Sequence, residues 1–123
     1  MYIKKENEKA VENFVFEAIR FLRGGTSCAK FVQIVDNSTV KGFGFLYCSV
    51  TIYVEKKIFH YPSYTEERYF IYVDNLKLSS DLLCLKNVFQ EIENIYEVQK
   101  RESEERRWDD ANTWLMEKIG AIK

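Results

Sequence analysis

The sequence predicts an α+β fold, in which an N-terminal helix precedes a three- or four-stranded antiparallel sheet with a long hairpin, and a long C-terminal helix follows. Apolar residues recur at spacings of three and four near both ends of the chain, whereas the middle is rich in alternating β-branched and aromatic residues. The chain has 123 residues, 46% of them hydrophobic, with one Pro and five Gly. This composition supports one buried core, so we expect a single domain over 1-123.

The first helix is predicted from Lys5 to Arg23. Its apolar positions fall on one helical face and are Val11, Phe14, Val15, Ala18 and Leu22. Gly24 and Gly25 follow, and glycine adopts the left-handed conformation at a helix end without steric cost. We therefore expect the helix to end there.

Strands are predicted next, starting with the β-branched stretch from Cys28 to Val35. The residues from Asp36 to Thr39 are typical of a turn. The stretch from Gly42 to Val54 alternates over a dozen residues and is interpreted as one long strand. Together these segments predict a first hairpin.

A second, longer hairpin is predicted after Val54. The chain keeps an extended pattern to His60, is interrupted at Pro62 and Ser63, and resumes as a strand from Arg68 to Leu76. A turn within the charged residues from Glu55 to Lys57 would give four strands in place of three. The alternation pattern leaves both arrangements open.

The last helix is predicted to start near Ser79 or Ser80, either of which can act as the N-cap. Its apolar face contains Leu82, Leu85, Val88, Phe89, Ile92, Ile95 and Tyr96. Between Gln99 and Arg107 the apolar face is lost, but opposite charges four residues apart favour a solvated continuous helix. Alternatively, Asp109 or Asp110 caps a separate third helix that carries Ala111, Leu115 and Ile119 and ends at Gly120, with a kink near Trp108.

The strand pattern also predicts an aromatic face of the sheet, because alternate residues of a strand point to opposite sides. If Gly42 to Val54 is one strand, its rings share a face, and we assign the rings of the second hairpin to that face. The resulting aromatic set is Phe43, Phe45, Tyr47, Tyr53, Phe70 and Tyr72. If both helices pack on the aliphatic face, these rings form an exposed patch that is large enough to be expected to serve as an interaction surface. If the C-terminal helix instead folds back across them with Trp108 and Trp114, they are ordinary core.

The stretch from Lys41 to Cys48, with the sequence KGFGFLYC, resembles the RNP1 octapeptide of RNA-recognition motifs at seven of eight positions. The resemblance implies base stacking on Phe43 and Phe45 of a central strand. Cys48 departs from the pattern. The chain also departs downstream, where such a motif has a helix and this sequence continues as strand.

The tip of the second hairpin contains two tyrosines, Tyr61 and Tyr64, beside Pro62. Exposed tyrosines on a rigid tip are good anchors of protein interfaces. A solvated loop whose rings lie on neighbouring side chains is the alternative. His60, the single histidine of the chain, has no nucleophile or carboxylate partner in the sequence, which argues against histidine-based catalysis.

Composition and motifs exclude several other classes of function. The sequence has no phosphate-binding glycine loop, nucleophile elbow or zinc-ligand spacing, so we expect no enzyme and no cofactor. Cys28, Cys48 and Cys84 lie far apart and are expected to be reduced and packed in the interior. No targeting segment or apolar run of membrane-spanning length is present, so a cytoplasmic location without membrane contact is expected.

The sequence therefore favours a small non-catalytic protein that acts by protein-protein contact. Its bias towards Lys, Asn, Tyr, Phe and Ile suggests a phage or mobile-element inhibitor of a host factor. The expected contact residues are Phe43, Phe45, Tyr47, Tyr53, Tyr61, Tyr64, Phe70 and Tyr72. The alternative is a nucleic-acid-binding protein that stacks bases on these rings and contacts phosphates through Lys30, Lys41, Lys56 and Lys57. A homodimer held by the rings or the long helix is the third hypothesis.

Overall fold

The computed structural model describes residues 1–25, 27–78, 82–118 and 120, with backbone alone at 82–84. A short 3-10 helix at Lys5–Asn7 leads into helix α1, Glu8–Arg23. The remaining elements in chain order are β1 (Ala29–Asp36), β2 (Val40–Tyr47), β3 (Val50–His60), β4 (Thr65–Val73), β5 (Leu76–Lys77) and helix α2 (Leu82–Lys118). The predicted α+β class is confirmed. The sheet has five strands rather than three or four, and each strand pairs antiparallel with the next in the order β1-β2-β3-β4-β5.

Helix α1 follows its apolar stripe. Val15, Ala18 and Leu22 are buried, as the spacing predicts, and Ile19 joins them. The helix ends where the glycines predict: Gly24 donates its N–H to the carbonyl oxygen of Arg20, and Gly25 adopts a left-handed φ of 67°.

The predicted turn after β1 is confirmed and is built around Asn37. Its side-chain oxygen accepts hydrogen bonds from the backbone N–H groups of Thr39, at 3.0 Å, and of Val40, at 2.9 Å. An asparagine side chain that bonds the backbone two residues on stabilises a turn locally. This bond explains why the reversal at Asp36 to Thr39 can be recognised in the sequence.

The prediction of one strand from Gly42 to Val54 is wrong, because the chain reverses at Cys48 and Ser49. Both residues have positive φ, 50° and 65°, and Tyr47 pairs directly with Val50. Two consecutive positive φ values are typical of the tight turn that matches the twist of a hairpin. Such turns usually contain Asn or Gly, so Cys48-Ser49 gives little sequence signal.

The second hairpin begins with one continuous strand, β3, which is the central strand of the sheet. Glu55 to Lys57 lie within β3 and pair with β4, so no turn interrupts the strand before His60. The predicted strand from Arg68 to Leu76 is displaced along the chain: β4 begins earlier, at Thr65, and ends at Val73, because Asp74 and Asn75 form another turn with positive φ and separate β4 from β5.

Helix α2 is continuous from Leu82 to Lys118, so the separate third helix starting at Asp109 or Asp110 is wrong. The charged stretch from Gln99 to Arg107 is helical, as the solvated alternative predicts, and Trp108 and Trp114 are exposed. The expected N-cap residues Ser79 and Ser80 lie outside the described residues, as do Ile119 and the side chains of Leu82 and Cys84.

The chain divides into two compact units, Met1–Glu93 and Asn94–Lys123, and α2 contributes to both. The first unit contains the sheet, α1 and the beginning of α2. The second unit consists of the rest of α2 and the residues after it. The single-domain prediction over 1-123 stays a prediction.

In the first unit, both helices pack on the same side of the sheet. The rings of Phe14 and Phe21 on α1 lie 5.3 Å and 5.4 Å from the ring of Tyr47, centroid to centroid. Phe89 on α2 lies 5.6 Å from Phe43 and 5.6 Å from Tyr69. We call this side the covered face; its strand residues include Phe31, Phe43, Phe45, Tyr47, Ile52, Val54, Tyr69 and Ile71. The opposite side is the open face; its residues include Gln33, Thr51, Tyr53, Glu55, Lys57, Phe70, Tyr72 and Lys77.

Two cysteines depart from the expectation that all three pack in the interior. Cys28 and Cys48 are free and exposed, the second of them in the tight turn before β3.

In the described part of the chain, no helix is long and apolar enough to span a bilayer.

Candidate functional site

The sheet separates the six rings that the sequence pattern placed together. Phe43 and Phe45 are 0% exposed and Tyr47 is 5% exposed, all on the covered face, whereas Tyr53, Phe70 and Tyr72 are partly exposed on the open face. The turn at Cys48-Ser49 causes the separation, because Phe45 pairs with Ile52 and thereby places odd residues of β2 beside even residues of β3. Phe43, Phe45 and Tyr47 are therefore core residues, and their assignment to a contact surface is corrected.

Tyr47 is held between the sheet and α1. Its hydroxyl donates a hydrogen bond to the Glu17 carboxylate at 3.2 Å. Burial, followed by the contacts with Cys48 and Glu17, raises its pKa to about 12. This tyrosine ties the first helix to the sheet.

The RNP1-like stretch performs a different task from the one that the resemblance implies. Its rings face the helices, where Phe43 packs on Phe31 and Phe89, so they are closed to nucleic-acid bases. Lys41 forms an ion pair with Glu93 at 2.8 Å, and Lys56 lies 5.6 Å from the Phe89 ring. No helix separates the five consecutive strands, which also differs from an RNA-recognition motif.

Gly42 of that stretch makes room for Tyr53 on the open face. A methyl group at Gly42 would overlap the phenol oxygen of Tyr53, whereas one at Gly44 would lie at an ordinary contact distance of 3.5 Å from its ring carbon Cδ2. The Tyr53 ring thus lies flat on the bare backbone of β2. Glycine within a strand often marks such a close approach. The ring is consequently fixed in position on an uncovered sheet surface.

A carboxylate lies beside the two tyrosines of the open face. Tyr53 and Tyr72 pair across β3 and β4 with ring centroids 6.1 Å apart, and the Tyr72 hydroxyl donates to Oε1 of Glu55 at 3.3 Å. Glu55 is only 7% exposed. Desolvation, and then the Glu55 charge, raises the pKa of Tyr53 to about 12 and raises that of Tyr72. Both phenols therefore remain protonated at neutral pH.

Phe70 extends the same surface along β4 in the direction of the hairpin tip. Lys77 Nζ lies 4.1 Å and Lys57 Nζ lies 5.4 Å from its ring centroid. Ammonium groups are attracted to the face of an aromatic ring. Lys77 also lies 5.4 Å from the ring of Tyr2, so this part of the open face is aromatic and basic.

The hairpin tip presents the second group of expected contact residues. Tyr61 and Tyr64 are 40% and 59% exposed, and their rings stack with centroids 4.8 Å apart. The backbone N–H of Tyr61 donates to the carbonyl oxygen of Tyr64 at 2.9 Å, which closes the tip. The Nε2 atom of His60 lies 3.3 Å from the carbonyl oxygen of Ser38, so this histidine contacts the turn that precedes β2.

The sequence pattern missed Glu55 and Lys77 as parts of this surface. Glu55 shares a face with Tyr53 because the two residues are two apart on β3, a signal that was present. Lys77 joins the surface only through the turn at Asp74 and Asn75. Among the side chains that the structure describes, no group of three or more His, Cys, Asp or Glu could hold a metal ion.

Comparisons of the chain with protein-family models, with curated proteins and with solved structures each find no match. The geometry of the open face and of the hairpin tip therefore carries the functional argument.

Proposed function

We propose that this protein is a non-catalytic, cytoplasmic binding protein that acts by protein-protein contact through the open face and the hairpin tip. The observation that supports it is the position of Tyr53, Phe70 and Tyr72, partly exposed on the sheet face opposite to both helices of the first unit. Tyrosine and phenylalanine supply large contact areas at low entropic cost and are enriched in interface cores.

The open face carries carboxylates among its cationic side chains, and this mixed charge favours a protein partner over nucleic acid. Glu55 lies beside the two tyrosines and accepts a hydrogen bond from Tyr72, and Glu66 pairs with Arg68 at 3.3 Å on the same face. The whole chain has a net charge of -1. Nucleic-acid binding relies on neutralising phosphates with an excess of cations, and acidic groups inside the contact surface oppose it. An inhibitor from a phage or mobile element would act in this way, by occupying the surface of a host protein.

The test compares matched variants in affinity capture from a lysate of the source cell, after nuclease treatment. The open-face variant is Phe70→Ala with Tyr72→Ala, the tip variant is Tyr61→Ala with Tyr64→Ala, and the control is Phe16→Ala, since Phe16 is an exposed ring of α1. We expect the captured protein to be lost with the first variant, reduced with the second and retained with the control. Circular dichroism establishes that each variant is folded.

Light scattering of the purified chain, alone and with single-stranded and duplex RNA and DNA at two salt concentrations, separates the other hypotheses. A dimer that the open-face variant dissociates would identify a second copy as the protein partner. Binding to nucleic acid that disappears at high salt would overturn the proposal in favour of the alternative. Equal capture by wild type and the open-face variant would also overturn it.

A further inference from the structure

The open face contains a shallow depression of about 370 Å³. It is lined by Gln33, Thr51, Tyr53, Glu55, Tyr72 and Asn75. The lining combines two aromatic rings, two carboxamides, a hydroxyl group and one carboxylate. All of these groups can accept a hydrogen bond or attract a cation, so the depression suits a positively charged ligand group with several donors.

The Glu55 carboxylate interacts with the phenols of Tyr53 and Tyr72 and with Lys57, and its contacts with Tyr72 and Lys57 are long. Its Oε1 accepts from the Tyr72 hydroxyl at 3.3 Å and lies 3.6 Å from the Lys57 ammonium nitrogen. The first distance exceeds the roughly 2.5–2.7 Å of an O–H···O⁻ hydrogen bond, and the second exceeds the roughly 2.7–2.9 Å of an N⁺–H···O⁻ hydrogen bond, each by about half an ångström or more. A carboxylate that is 7% exposed also has little contact with water. A well-placed cationic donor would therefore improve its surroundings.

The tyrosine rings lie side by side and provide a surface on which such a cation can stack. Their centroids are 6.1 Å apart and their planes are inclined by 37°. Tyr53 is held flat by the close approach of Gly42, so its ring requires no rearrangement on binding. With the phenols protonated, Glu55 provides the negative charge of the depression.

We propose that this depression binds the guanidinium group of an arginine side chain on the partner protein. The inference rests on the proposed function and specifies the chemistry of the partner. A guanidinium has five donors and a flat face that stacks on tyrosine, and the carboxylate of Glu55 with the carboxamides of Gln33 and Asn75 supplies matching acceptors. Lysine fits less well, because its ammonium is compact, strongly hydrated and unable to form a paired contact with a carboxylate.

Lys57 is the competing cation of this site. Its ammonium lies between Glu55, at 3.6 Å, and the ring of Phe70, at 5.4 Å from the centroid. An arriving guanidinium would displace it towards Phe70. Removal of the Lys57 charge should therefore strengthen binding, whereas removal of the Glu55 charge should weaken it.

The experiment is an NMR titration of the labelled full chain with N-acetylarginine methylamide, with the neutral isostere N-acetylcitrulline methylamide as the matched ligand. We expect millimolar binding of the arginine compound, with shifts centred on Thr51, Tyr53, Glu55 and Asn75, and no binding of the citrulline compound. Glu55→Gln should weaken binding about tenfold, as expected for a hydrogen bond to a charged group. Lys57→Gln should tighten it about two- to fivefold.

Glu66→Gln is the control variant, because Glu66 is an exposed carboxylate of the same face outside the depression. It should change the affinity less than about twofold. Equal binding of arginine and citrulline compounds, shifts centred elsewhere, unchanged affinity in Glu55→Gln or weaker binding in Lys57→Gln would each overturn the proposal. If Glu55→Gln fails to fold, the citrulline and Lys57→Gln measurements still decide it.

Failure of the arginine-binding proposal can be distinguished from failure of the proposed function. If capture depends on Phe70 and Tyr72 but arginine and citrulline compounds bind alike, the partner recognises the face without an arginine. If the arginine compound binds but the open-face variant captures protein normally, the partner uses another surface.

Discussion

The two faces of the sheet contain similar residues in different surroundings. Phe43 and Phe45 on the covered face are fully buried by the helices, whereas Phe70 and Tyr72 on the open face are partly exposed and in contact with charged groups. The number of rings in a strand therefore does not indicate their role. What decides it is the pairing register, which assigns each ring to one side of the sheet.

The largest expected effect is the loss of a ring from the covered face. Phe43→Ala should lower the free energy of unfolding by about 3–5 kcal/mol, because it leaves a cavity among Phe31 and Phe89 in the core. Phe70→Ala on the open face should cost about 1–2 kcal/mol, because less apolar area is lost. Urea denaturation of both variants measures the difference. Equal losses would contradict the assignment of faces.

Alkaline pH should destabilise the protein through tyrosines on both faces of the sheet. The carboxylates next to these tyrosines differ between the two faces. Tyr47 and Tyr69 on the covered face and Tyr53 on the open face have a pKa raised from 10.0 to about 12. Between pH 10 and 12 the folded state binds protons that the unfolded state has released, so the stability present below pH 10 is lost as the pH rises to 12. Denaturation measured across this range should show the loss.

Glu55→Gln provides the control for that experiment. Removing the Glu55 charge should lower the pKa of Tyr53 and Tyr72 but leave Tyr47 and Tyr69 unchanged, since other carboxylates face those two rings. Carbon-13 NMR of labelled tyrosine resolves the individual rings. A uniform change at all four would show that the two faces are not electrostatically separate.

A smaller effect is expected from filling the space under Tyr53. Gly42→Ala should cost about 1–3 kcal/mol, because the added methyl group overlaps the Tyr53 phenol and displaces the ring. In a Tyr53→Ala background the same substitution should cost much less. A double-mutant cycle from thermal unfolding measures this coupling, and additive losses would exclude the packing of the ring on Gly42.

The tight turn should accept better turn residues. Cys48→Asn with Ser49→Gly should raise the free energy of unfolding by about 1–2 kcal/mol, since both positions have positive φ. The matched control is the pair Asp74 and Asn75, which has the same geometry and already contains tolerant residues. Replacing that pair by Asn-Gly should gain less in the same denaturation assay.

The smallest effect is expected at the hairpin tip. Tyr64→Ala should change the free energy of unfolding by less than about 0.5 kcal/mol, because the side chain is 59% exposed and contacts mainly Tyr61. A loss comparable with that of Phe43→Ala would mean that the tip is part of the core. Under the proposed function, this substitution reduces capture of the partner with little loss of stability.

These contrasts also explain how far the sequence could predict the structure. Both helices, the end of α1 at Gly24 and Gly25 and the turn at Asn37 follow from local signals, namely apolar spacing, glycine and a side-chain hydrogen bond. The turn at Cys48 and Ser49 has no such signal, because neither residue favours positive φ. Without this turn, the residues of β3 are assigned to the wrong faces of the sheet relative to those of β2. The grouping of Phe43 and Phe45 with Tyr53 was wrong for this reason, although Tyr53, Phe70 and Tyr72 do share a face.

At the Cys48-Ser49 turn, the number of residues is constrained more strongly than their identity. One inserted or deleted residue would shift the register of β3, turning Ile52 and Val54 towards solvent and Glu55 towards the helices. An insertion between Tyr61 and Tyr64 would only lengthen the tip. Over evolutionary time, we therefore expect the tip to vary in length, while the turn before β3 keeps its two residues.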